Sequence, residues 1–77
     1  MGWKTYLILY FGTVGRRPSE IERSLIGIGF ETNIGSVDFV YHWGENKPSK
    51  DQILKLADKI VEVLKGSGVM FNIDTHD

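Results

Sequence analysis

The sequence predicts an α+β domain, a ferredoxin-like two-layer sandwich with the element order β-α-β-β-α-β. Three observations carry the prediction. Bulky apolar residues fall on one parity of position in three strand-like segments. Two amphipathic segments, each opened by Pro-Ser and closed by Gly-x-Gly, separate those segments. A Gly-containing break interrupts the middle segment where a hairpin would turn. Side chains alternate between the faces of a strand, so a consistent parity split describes one sheet with an apolar face and a mixed face.

The first strand runs from Trp3 to Phe11, aromatic and aliphatic without a breaker, and is punctuated by Gly12 to Gly15. Its odd positions, Trp3, Leu7, Leu9 and Phe11, belong to the apolar face; its even positions, Lys4, Tyr6, Ile8 and Tyr10, belong to the mixed face. A helix opens at Pro18-Ser19-Glu20-Ile21-Glu22: proline suits the first turn, and Ser19 with Glu22 has the capping-box spacing. It carries Ile21, Leu25 and Ile28 and ends at Gly27-Ile28-Gly29. Residues 30 to 43 decide the topology. As one strand they reduce the fold to β-α-β-α-β, a thin parallel sheet; with a turn at Asn33-Ile34-Gly35-Ser36 they form a short strand, a hairpin and a longer strand. The hairpin is preferred because it leaves one sheet face for both helices and explains why only the odd face is strongly apolar. The second helix opens at Pro48-Ser49, with Gln52 in the capping-box position, and presents Ile53, Leu56, Ala57, Ile60, Val63 and Leu64 as one stripe. The last strand places Val69, Phe71 and Ile73 on the apolar face and Met70, Asn72, Asp74 and His76 on the other.

Seventy-seven residues make a single domain, residues 1–77, near the lower limit of independent folding, and leave little room for a deep cleft. The absence of cysteine excludes a disulfide framework, thiolate metal sites and a thiol nucleophile. No signal-peptide pattern opens the sequence and no apolar run approaches the roughly 20 residues of a membrane span, so the expectation is a cytoplasmic protein without a membrane partner. Nine basic against ten acidic residues give a net charge of −1, which does not favour phosphate backbones.

The mixed face collects His42, His76, Asp38 and Asp74, the residue types of a metal or acid-base site. Spacing argues against one shared ion: at about 3.3 Å per residue, Asp38 and His42 stand roughly 13 Å apart, beyond the reach of one metal's ligands. No metal, cofactor or catalytic set is therefore assigned. No serine is placed by sequence to be activated by either histidine, and the acids of the second helix alternate with lysines on a solvated face.

The apolar members of the mixed face suggest a different use. Tyr6, Ile8, Tyr10, Val40 and Met70, with His42 among the polar rim residues, form a contiguous patch of the kind that marks a protein interface. Self-association through this open sheet face is expected, making the domain a non-catalytic interaction or homodimerisation module. Tyr6 and Tyr10 would also permit base stacking, but one lysine against Asp38 and Asp74 leaves phosphates facing a neutral or negative rim. The first loop offers a second candidate: Gly12, Gly15, Arg16, Arg17 and Ser19, next to a helix N-terminus, have the composition of a small-anion site without matching a Walker or dinucleotide motif.

Arg16-Arg17, Ile21, Leu25, Gly29-Phe30 and Gly35-Ser36-Val37-Asp38-Phe39, followed by Pro48-Ser49 and the second helix, resemble a known small family. The pattern is similar to the ferredoxin-like CRISPR-associated nucleases of the spacer-integration complex and their VapD-like relatives, over roughly positions 5 to 73. That resemblance implies the alternative function, a metal-dependent endoribonuclease-like protein that processes nucleic acid. It departs at the residue that matters. The family's metal-binding acid ends the first strand, whereas here Tyr10 is followed by Phe11 and Gly12, and metal-assisted hydrolysis loses its anchor.

Overall fold

The computed structural model describes residues 2–11, 17–32 and 38–77. Its elements are β1 (Trp3–Tyr10), α1 (Pro18–Gly27), β2 (Glu31–Thr32), β3 (Asp38–Gly44), α2 (Lys50–Leu64) and β4 (Met70–His76). The four strands form one sheet in the order β2-β3-β1-β4, with every neighbouring pair antiparallel. Residues 30 to 43 thus supply two antiparallel strands, and the thin parallel alternative does not form. The proposed turn at Asn33-Ile34-Gly35-Ser36, and Val37 after it, lie outside the described residues.

Both helices cover the odd-position face. Leu7, Leu9 and Phe39 from the sheet, Ile21 and Leu25 from α1, Phe30 after it, and Leu56, Ile60 and Leu64 from α2 form a single buried cluster. Phe11, Tyr41, Trp43, Val69, Phe71 and Ile73, all odd positions of strand segments, pack against it. In α2 the buried residues recur at i, i+4 and i+8, the spacing that keeps one stripe of a helix facing a core.

The two helix starts differ. Ser49 caps α2: its hydroxyl accepts from Gln52 N–H at 3.1 Å while the Gln52 side chain accepts from Ser49 N–H at 2.8 Å, the complete capping box the spacing predicts. Ser49→Ala should therefore lower the unfolding free energy by about 1 kcal/mol, read from urea titration of the helical circular dichroism signal. At α1 the expected capping box is not formed. Pro18 takes the first helical position, so the N-cap is Arg17, and Ser19 lies too far into the helix to cap it. The carbonyl of Arg17 still accepts from Glu20 N–H and Ile21 N–H.

The ends follow the glycine signals. Phe30 N–H donates to Leu25 O and Gly29 N–H to Ile26 O, both at 3.1 Å, which is a Schellman closure with buried Leu25 and Phe30 as its apolar pair. Gly29 has φ +110°, and a Cβ there would stand 2.9 Å from the Tyr41 ring, so glycine is required twice over. After α2, Lys65 (φ −57°, ψ 128°) and Gly66 (φ +75°) make a type II turn closed by Ser67 N–H to Leu64 O at 3.0 Å. Ser67 is buried; its hydroxyl donates to Leu64 O and accepts from Val69 N–H, leading the chain into β4.

One polar chain crosses the helix-covered side. Thr5 is fully buried, its hydroxyl accepting from the Trp43 indole N–H and meeting the Thr75 hydroxyl, each at 2.7 Å. Trp43 can reach it because the β1–β3 register slips between Trp3 and Lys4: Trp3 pairs with Gly44 and Lys4 with His42, leaving Trp43 as the extra residue of a bulge.

Candidate functional site

The face opposite the helices is an ordered grid, because residues paired across neighbouring strands project to the same side. Four cross-strand rows follow from the register: His42–Lys4–His76, then Glu31–Val40–Tyr6–Asp74, then Asp38–Ile8–Asn72, then Tyr10–Met70. Ile8, Tyr10 and Met70 are 40%, 56% and 73% exposed, so substantial apolar surface faces solvent on the central strand and its neighbour. Tyr6 is half-buried, its ring stacked on the His76 imidazole at a centroid distance of 4.9 Å and 18° between planes.

Five of the six residues expected in the interface patch lie at the surface of this face. Val40 is the exception: it is only 8% exposed, shielded between Tyr6 on one side and Glu31 on the other. Glu31 itself escaped the parity reasoning. It is an odd-numbered residue that pairs with even-numbered Val40, so the parity of β3 does not carry over to β2. Its carboxylate Oε2 lies 2.7 Å from His42 Nε2, and the two side chains are at least half exposed. At the other edge Asp74 Oδ2 lies 3.7 Å from His76 Nε2, also in the open. Pairs this exposed contribute at most about 1 kcal/mol each. Among the described residues no three His, Asp or Glu side chains gather closely enough to hold a metal ion.

Between the second and third rows lies a depression of about 220 Å³, lined by Tyr6, Ile8, Asp38, Asn72 and Asp74 together with Leu7, Phe39 and Ile73. The last three form one register row, and Leu7 and Phe39 send their side chains into the core, so the floor is peptide backbone. Tyr6, whose ring stacks on His76 of the first row, forms one wall of this space. Its walls are one phenol ring, one aliphatic side chain, one carboxamide and two carboxylates; among the described residues no cation is paired with Asp38. The sequence placed Asp38, Asn72 and Asp74 on the mixed face but gave no sign that they would line a concavity, since that depends on which residues the register sets side by side.

In the first loop Gly12, Gly15 and Arg16 lie outside the described residues. Of that candidate anion site Arg17 and Ser19 are described, both exposed: Arg17 is the N-cap of α1 and Ser19 its second residue. Phe11, at the end of β1 where the resembled nucleases carry an acid, packs against the hydrophobic core. Compared with protein-family models, curated proteins and solved structures, the chain finds no significant match in any of the three. No helix among the described residues is long and apolar enough to cross a membrane.

Proposed function

We propose that the chain is a non-catalytic interaction domain of ferredoxin-like topology that self-associates through the open face of its sheet. Read from the β4 edge the strands run β4-β1-β3-β2, which with two helices on one face supports that fold assignment. The observation that carries the functional reading is the exposure of Ile8, Tyr10 and Met70 as one continuous surface, rimmed by His42, Lys4, Asp38, Asn72 and Asp74. Those apolar side chains are not needed by the core, which the opposite face already fills. Covering them removes apolar surface from water at a gain of about 25 cal/mol per Å², and a rim of both charge signs suits a specific mate.

Sedimentation equilibrium at micromolar concentration tests the reading. The wild-type chain should sediment as a dimer, and Ile8→Arg, which sets a charge in the middle of the face at a position already 40% exposed, should sediment as a folded monomer. A wild-type monomer across that range, or an Ile8→Arg dimer of undiminished affinity, overturns it.

A further inference from the structure

The two ends of the open face differ, and the difference selects how two copies meet. Its four rows stand at Lys4, Tyr6, Ile8 and Tyr10 of β1, so the midpoint of the face lies at Leu7. The first row sets Lys4 between His42 and His76, and Lys4 is the only lysine or arginine on the described part of the face. The two middle rows hold the carboxylates, Glu31 and Asp74 in one and Asp38 in the other. The last row, Tyr10 and Met70, carries the most exposed apolar side chains of the patch. Basic groups thus occupy one end of the face and bare apolar surface the other, with the acids between them.

We infer that two copies pair about a two-fold axis that crosses the strands at the level of Leu7, so that Lys4 of each copy lies on Tyr10 of the other and His76 on Met70. This rests on the reading that the open faces pair, and it specifies how they pair. Facing sheets keep their strand directions within about 30° of each other, so the axis between them runs either along the strands or across them. An axis along β1 keeps every row over itself: Lys4 stands against Lys4, and His42 against His76. An axis across the strands keeps β1 over β1 and β4 over β4 but reverses the order of the rows. Set at Leu7, it exchanges the first row with the last and the second with the third, and all four rows are covered. Moved one residue either way, it leaves an end row bare, Tyr10 and Met70 on one side or Lys4 and the histidines on the other. At Leu7, Ile8 meets Tyr6, Asp74 meets Asn72 and Asp38 meets Val40, so no two like charges stand directly opposite. The Lys4 stem lies on a phenol ring, a surface that attracts a cation, and the Met70 thioether lies on an imidazole. The second copy's Asp38 is then one row inward and one strand across from Lys4, about 8 Å in the plane of the sheet and within reach of the ammonium. Each contact is made twice, once for each copy.

Thiol cross-linking tests the axis, since the chain has no cysteine of its own. Lys4→Cys and Tyr10→Cys are mixed, treated with a short bismaleimide, and the products told apart by mass. The mixed pair should be linked at least about fivefold more than either variant with itself, because like positions lie roughly 20 Å apart along the strands across this axis. His76→Cys with Met70→Cys, the equivalent pair on β4, should behave in the same way, which keeps the test valid if Tyr10→Cys weakens the dimer. Lys4→Glu should raise the dimer dissociation constant at least about fivefold, since the new carboxylate comes to stand near the second copy's Asp38. Thermal melts establish that each variant is folded. A wild-type dimer in which Lys4→Cys links to itself, or in which neither mixed pair links more than its members do alone, overturns the axis and leaves the proposed function standing. A wild-type monomer overturns both.

Discussion

Phe39→Ala is expected to lower the melting temperature of the protein by at least about 12 °C. Phe39 is 1% exposed, stands in the middle of β3 and pairs in register with Leu7, which is fully buried. Removing a buried phenylalanine ring costs about 3 to 5 kcal/mol, the sum of lost transfer free energy and the cavity left by incomplete collapse. A chain of 77 residues holds a total stability of roughly 4 to 12 kcal/mol. The substitution therefore removes about a quarter or more of the whole. In a domain of this size each kcal/mol corresponds to about 4 to 8 °C in the melting temperature, so a fall of at least about 12 °C is expected in a calorimetric scan. The neighbourhood has few means of closing the gap, because Leu7 and Leu9 on β1 are held in the sheet ladder. A fall under about 5 °C would show that Phe39 is not a core residue. The consequence reaches the open face too, since the backbone of Phe39 floors the depression. Phe39→Leu, which keeps most of the volume, should lose less stability and leave self-association intact.

The division between what the sequence disclosed and what it did not has a physical basis. Alternation within a strand is a local property, so the faces of Leu7, Leu9, Phe39, Phe71 and Ile73 could be assigned before any pairing was known, and they all reach the core. The α2 stripe and its Ser49 capping box are equally local, each decided within a few turns of helix. Pairing across strands is not local. Glu31 joins the open face and shields Val40 only because of the register between β2 and β3. The failed capping box at Ser19 has another cause: two local signals competed side by side, and proline at the first helical position moved the cap to Arg17. The depression is not local either, since its walls come from β1, β3 and β4, with Tyr6 stacked on His76, 70 residues away in sequence. The apolar character of the open face was thus legible from composition and parity. Its shape, and the separation of Lys4 from Asp38 and Asp74 along the strands, required the register.

The same dependence on register gives the second large effect, at Thr5. A threonine in the middle of an apolar strand face reads as a minor irregularity, yet here it is fully buried and holds two partners from two different strands. Its hydroxyl oxygen accepts the Trp43 indole proton, and the same oxygen shares a hydrogen bond with Thr75. Thr5→Val preserves the shape and removes both contacts. The indole N–H, a donor with no second function, is then left facing methyl groups, and an unpaired donor in such surroundings costs about 1 to 3 kcal/mol. A loss of about 2 kcal/mol in urea titration is expected, large for a change that adds no cavity. The cause can be separated from mere loss of polarity by a double-mutant cycle. In a Trp43→Phe background no donor remains to be stranded, so Thr5→Val should cost at least about 1 kcal/mol less than in the wild type. Equal costs in the two backgrounds would mean that the Trp43–Thr5 bond contributes nothing, and that the bulge placing Trp43 over Thr5 is held by backbone pairing and aromatic packing against Tyr41 alone. A positive coupling instead makes this bond the pin of the β1–β3 register at its Trp3 end. That end is where Lys4, flanked by Trp3 and Thr5, is set in place on the open face.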